Sequence, residues 1–299
     1  MKTNIVIKLF SNLSRVRVTN LVDSAFEEFA RITQKYTRFS EQSELSRLNR
    51  NSGEWVEVDE EFIYLVENLL DLAKFSGGRF DPTIIDLLEI NGYKSSFDRK
   101  KIVEEKVVIS DMQSYLRKRP RWDQIEIDVE KASVKLMPSQ RLDLGGIGKG
   151  YAIRLAADIL SGEIEDFFID AGGDTYGKGK NQEKEDFWSV ELRSKLDTGL
   201  VSLGQVNIDI TGMSLASSGS WARSVGSFHH LLNPSTGSPE RESLQSFVLH
   251  KDPMIADALA TVLFLVGESI IDEMVKKYSA ESILIKSTGK VFSSENVPL

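Results

Sequence analysis

Residues 4–8 (NIVIK), a short β-branched apolar run between polar residues, read as a strand, and a longer period follows. Apolar positions in 21–35 (LVDSAFEEFARITQK) recur at helical spacing and predict a helix. In YTRFSEQSELSRLNR, Ser43 is placed to cap a short turn, and Asp59 to cap a second helix over 60–76 that stops at Gly77-Gly78. In RFDPTIIDLLEI, Pro82 holds Asp81 extended. Residues 124–137 (QIEIDVEKASVKLM) alternate around an Asp-Val-Glu-Lys turn and read as a hairpin. DFFIDAGGDTYGKG is a short strand entering glycines, and WSVELR, VNIDI and SFVLH read as further strands. Helices over 253–266 and 268–279 and the strands SILIK and KVFSS close the chain. Strands and helices mix without regular βαβ alternation, so the expected class is α+β, with mixed, mainly antiparallel sheets and flanking helices.

With 299 residues the chain can bury a sizeable core, and with no linker in sight it is expected to form a single domain over 1–299, built as one body or as two intimate lobes. Its 41% hydrophobic and 27% charged content is that of an ordinary soluble protein. No apolar run approaches the ~20 residues that span a bilayer. The first residues, MKTNIVIKLFSNLSRVRV, are too polar for a signal peptide, so the expected location is cytoplasmic, or periplasmic if a leader has been removed. Cysteine is absent, which excludes disulfides and thiolate chemistry, and with only three histidines an imidazole zinc site is not expected. Any metal would therefore be a hard cation held by oxygen. A net charge of −8 argues against a nucleic-acid surface.

Residues 141–160 read RLDLGGIGKGYAIRLAADIL: an aspartate, a glycine-rich corner, a lysine, then a helix with Ala152, Leu155, Ala156, Ile159 and Leu160 in one stripe. The corner is either a tight strand-to-helix turn or an anion site, since helix starts expose unpaired amides and glycine lets a ligand approach them. It matches neither known phosphate fingerprint. Tyr151 stands where a dinucleotide motif needs its third glycine, and Gly150 where a P-loop needs Ser or Thr.

In DPMIADALATVLFLVG, Asp252 and Pro253 start a helix and Gly267 stops it. Asp257 and Thr261 are its only interior polar side chains and share one face. Either Asp257 meets an arginine or a backbone amide while Thr261 bonds its own helix, or the two oxygens hold magnesium. In FHHLLNPSTGSP two of the histidines stand beside a loop, LASSGSWARS is uninformative alone, and DAGGD closes a strand or lines a cavity. RKRPR (117–121) reads as a solvated surface loop.

In this order the segments YTRFSEQSELSRLN, GGRFDPTI, LDLGGIGKGYAIRLAADIL, FIDAGGD, ASSGSW, HLLNPSTGSP and ADALATVLFLVG resemble the ApbE family, the FAD:protein FMN transferases, from about residue 36 to 267. The resemblance implies a two-lobed fold and magnesium-dependent cleavage of FAD, with FMN passed to a Thr or Ser hydroxyl of an acceptor protein and AMP released. Manganese or calcium could replace magnesium. The alternatives are an FAD pyrophosphatase yielding FMN and AMP, and a non-catalytic FAD-binding protein. By position, Tyr36, Phe80, Asp81, Pro82, Asp143, Lys149 and Leu231 match FAD contacts. The Gly146 carbonyl, Asp257 and Thr261 match metal ligands, with Asp257 also counted as catalytic. His230 opens the H-x-x-D-P-x-T-G run and is the candidate for proton transfer. Asn233 departs from the family's usual Asp there and removes a charge.

Overall fold

The computed structural model describes residues 3–91, 105–196, 199–220, 224–225 and 228–297. Its α-helices, in chain order, are α1 Arg15–Tyr36, α2 Glu44–Arg50, α3 Glu60–Phe75, α4 Ile85–Ile90, α5 Glu105–Lys118, α6 Gly148–Ser161, α7 Pro253–Val266 and α8 Ile271–Tyr278. The chain divides into two units: 1–33, 147–219 and 242–299 form the first, and 34–146 with 220–241 form the second.

The first unit is built on a seven-stranded sheet. Its order is Ile5–Phe10, Asp166–Ala171, Asp174–Lys178, Met213–Gly219, Ser243–His250, Glu281–Lys286, Val291–Ser293. Every neighbouring pair is antiparallel, as the mainly antiparallel expectation requires. Helix α7 lies on the central strands Met213–Gly219 and Ser243–His250, and α6 packs on α7. One face of the sheet carries a core of Trp188, Leu192, Val206, Ile208, Leu215, Phe247, Leu249, Ile283 and Ile285. Apart from Asp257 and Thr261, α7 is apolar between its ends, which suits burial on both sides.

The second unit carries α2 to α5 and the small sheet Trp55–Glu57, Ser133–Lys135, Glu126–Asp128, the last two strands forming the expected hairpin. Leu87, Leu88, Met112 and Leu232 form one of its cores.

The caps fall where the residues demand them. Ser46 N–H donates to Ser43 Oγ, Phe62 N–H to Asp59 Oδ1 and Met254 N–H to Asp252 Oδ1. Three expectations change. Helix α1 begins at Arg15, since Ser14 caps it, and its exposed first turn shows no apolar period. The buried positions of α6 are Gly150, Tyr151, Ala152, Ile153, Ala156, Ala157 and Leu160, while Leu155 and Ile159 are half-buried, because α7 covers a flank the stripe did not include. Residues 117–121 are no free loop: Arg117 and Lys118 end α5, and Arg119 is buried against Asp81. Residues 221–223 of LASSGSWARS lie outside the described residues.

Candidate functional site

In the first unit, the start of α6 is pressed onto α7. A Cβ on Gly150 would stand 2.3 Å from Pro253 O, 2.7 Å from Met254 Cα and 2.8 Å from Asp257 Cβ, so only glycine permits this crossing. The Gly150 N–H donates to Asp257 Oδ2 at 2.8 Å. Lys149 Nζ lies 3.7 Å from Asp257 Oδ1 and pairs closely with Asp174, whose Oδ1 accepts from Ser217 N–H at 3.1 Å. The ammonium thus stands between two buried carboxylates and compensates charges that would be costly alone. One turn along α7, Thr261 Oγ1 lies 3.1 Å from Ser218 Oγ. The structure therefore brings together Lys149, Asp257 and Thr261, and adds Asp174 and Ser218, which the chain pattern did not single out. The backbone-amide partner of Asp257 is present as one reading required, while Thr261 meets a neighbouring strand's hydroxyl.

The donor set here is oxygen throughout, and no group of three or more His, Cys, Asp or Glu side chains suited to a metal exists among the described residues. One buried carboxylate and one hydroxyl on successive turns of a rigid helix fit magnesium, which keeps several waters and takes substrate phosphate oxygens for the rest of its shell. They do not fit zinc.

In the second unit, three sequence segments converge. The Asp143 N–H donates to Pro82 O at 2.8 Å, and the Asp143 carboxylate lies 3.8 Å from Arg38, which also reaches Glu89 at 3.7 Å. Asn49 clamps Leu142 at both backbone groups, 2.7 Å and 2.9 Å. A Cβ on Gly146 would come 2.6 Å from the Phe80 ring, so that glycine leaves room for the aromatic edge. Arg38, two residues beyond Tyr36, is the link the pattern missed. Tyr36 itself is buried, its hydroxyl donates to Glu61 Oε2 at 2.8 Å, and burial together with that carboxylate pushes its pKa far up.

Asp81 is turned inward. Its side chain is 1% exposed, Oδ1 accepts from Thr83 N–H and Oγ–H at 2.8 and 2.6 Å, and Oδ2 takes the Arg119 guanidinium. Its carboxylate fixes the Phe80–Pro82 turn rather than facing solvent. Burial lowers Arg119 to about 10, with Arg121 adding to the effect.

The 228–240 segment joins the same region through Arg79 and Glu240, 3.1 Å apart. Buried His229 donates from Nε2 to Glu240 O at 2.8 Å, while Nδ1 accepts from Leu231 N–H at 3.3 Å, which sets its tautomer. Leu231 is buried, its carbonyl accepting from Glu240 N–H at 2.9 Å, and His230 is half-buried. Asn233 Oδ1 accepts from Ser235 N–H at 3.0 Å, the turn contact an aspartate could also make, so the departure from Asp keeps the turn and removes the charge.

An antiparallel sheet carrying a buried apolar helix with one inward aspartate, and a glycine-opened helix pinned across it, places the chain in a definite class: it belongs to the ApbE family, whose sequence profile matches residues 1–284. Similar proteins include the FAD:protein FMN transferase of Haemophilus influenzae, 28% identical over 279 residues, covering 89% of this chain and 78% of that protein. The FAD:protein FMN transferase of Chlamydia trachomatis is 25% identical over 271 residues, 87% of this chain and 80% of that one. The ApbE protein of Thermotoga maritima matches in structure with a TM-score of 0.83 at 25% identity, across 98% of this chain and 97% of that one. The flavin transferase ApbE of Vibrio cholerae shares the fold at a TM-score of 0.82 and 22% identity, across 99% and 94%. No helix of the described residues is long and apolar enough to cross a membrane.

Proposed function

We propose that this protein is an FAD:protein FMN transferase that depends on magnesium, with manganese or calcium as substitutes. The observation that carries the reading is the seating of Lys149 and Gly150 on Asp257, with Thr261 one turn further along the same helix. Asp257 and Thr261 would hold the ion, which supplies charge neutralisation at the diphosphate of FAD. Lys149 and the first amides of α6 take up further negative charge as the departing AMP develops it.

In the reaction, a Thr or Ser oxygen of the acceptor protein bonds to the FMN phosphorus. The bond from that phosphorus to the bridging oxygen breaks, and AMP leaves with the bridging oxygen and its electron pair. His230 receives the acceptor's hydroxyl proton, an assignment that follows its place at the head of the HLLNPSTG run. The flavin contacts expected at Tyr36, Phe80, Pro82, Asp143 and Leu231, and the metal contact of the Gly146 carbonyl, rest on motif position. Asp81 serves them by holding its turn.

The test is incubation with FAD, magnesium and an acceptor carrying a target threonine. Flavin fluorescence that stays with the denatured acceptor supports transfer. FMN appearing only in solution means hydrolysis, and bound FAD with no AMP released means a binding protein. Asp257→Asn is expected to remove turnover while leaving the far-ultraviolet dichroism unchanged; full activity in that variant defeats the metal assignment.

A further inference from the structure

We infer that Ser218 is the positioning residue for Thr261: its hydroxyl oxygen accepts the Thr261 proton and so turns the Thr261 lone pair toward the divalent ion. The inference rests on the metal reading above and adds a residue that reading does not contain.

A helical threonine ordinarily bonds back to the carbonyl four residues earlier, which would point its lone pairs along the helix surface. Thr261 has another neighbour, Ser218 Oγ at 3.1 Å, on the strand Met213–Gly219 beneath α7. A hydroxyl oxygen that gives a lone pair to a cation has a more acidic proton and is the better donor of the pair. Thr261 then donates and Ser218 accepts.

The strand is held to the helix at this point by one more hydroxyl. Ser246 stands directly across from Ser218 in the antiparallel register. Fully buried, it donates at 2.7 Å to the carbonyl of Ala260, the residue before Thr261, and lies 3.2 Å from the carbonyl of Ser218. Ser246 thus ties both backbones whose side chains must meet. Packed backbone thus fixes how closely the two residues approach, leaving only one side-chain torsion at each to bring the hydroxyls together. Outer groups that orient a ligand in this way typically alter metal affinity by about 10–100-fold when removed.

The test is a Mn²⁺ titration of the purified protein, with and without FAD, followed by loss of the free-ion paramagnetic resonance signal. Wild type is expected to bind, Asp257→Asn to lose binding, Ser218→Ala to bind about ten-fold more weakly, and Ser218→Thr to return to within about two-fold of wild type. Urea midpoints of the Ser218 variants check that the fold is intact. Wild-type affinity in Ser218→Ala, with Asp257→Asn defective, overturns the positioning role and leaves the metal reading standing. Equal affinity of wild type and Asp257→Asn removes the metal reading and this inference with it. If Ser218→Ala does not fold, Ser218→Thr decides: ten-fold weakening with the hydroxyl retained contradicts the role.

Discussion

At Gly150 an added methyl would meet backbone first, at 2.3 Å from Pro253 O and 2.7 Å from Met254 Cα, and then Asp257 Cβ at 2.8 Å. Backbone on a packed helix cannot swing aside, so the two helices must separate. Overpacking of this kind costs roughly 1–3 kcal/mol, only partly offset by the ~1 kcal/mol by which alanine outranks glycine in a helix. Gly150→Ala should therefore lower the stability read from urea denaturation by up to about 2 kcal/mol with an unchanged slope. It should also weaken the Gly150 N–H bond to Asp257. Gly148, two residues earlier, has open space around its would-be Cβ. Gly148→Ala should be neutral or raise the midpoint by up to ~1 kcal/mol. Equal losses in both variants would show that the crossing does not select glycine at 150.

At the scale of elements, what the chain showed in advance was whatever is written locally. Helix α7 was bounded to the residue because Asp252-Pro253 and Gly267 punctuate an apolar run, Asp59 announced its helix, and Ser43 is the cap expected, though of the helix α2 where only a short turn was read. What failed depends on distant partners. Arg119 looked like surface because its neighbours are basic; only the fold supplies Asp81, 38 residues away. Ser218 and Asp174 stood in segments the chain marked, ASSGSW and DAGGD, but their partners, each 43 residues off, were not legible for the same reason. The Asp81–Arg119 pair is nearly fully buried, so removing one member leaves an uncompensated charge. Arg119→Met should cost about 3–5 kcal/mol, and adding Asp81→Asn should restore part of it. A double-mutant cycle by urea denaturation measures the coupling, and additive losses would mean the pair is not a unit. The 228–240 segment has its own pH signature. Burial holds His229 below its ordinary value of 6.5, against the opposing pull of the Glu240 carbonyl. The unfolded chain then binds the extra proton first as pH falls, so this stability is complete above about 6.5 and is lost as pH falls through the lower folded value. Thermal midpoints at pH 7.5 and 5.5 should differ less in His229→Gln than in wild type; an unchanged difference excludes His229 as its source.

Across the whole molecule, a net charge of −8 must be reconciled with a dinucleotide that is itself an anion. The local charge around Asp257 does this only in part. Lys149 supplies one positive charge, already shared between Asp174 and Asp257. A diphosphate brought to these residues without an added cation would meet two carboxylates and one ammonium. A divalent ion reverses that balance, so ion and dinucleotide should each strengthen the other's binding. The global stability reports this directly, because anything that binds the folded state alone raises the midpoint, by ~2.7 kcal/mol at a hundred times its dissociation constant. FAD in excess chelator should therefore raise the melting temperature little, and magnesium alone little. The two together should raise it by several degrees, more than the sum of the separate shifts. Asp257→Asn should lose the extra rise while keeping its own baseline melt. An FAD shift that is the same in chelator and in magnesium would mean that the ligand binds without an ion, and the role given to Asp257 and Thr261 would have to be withdrawn.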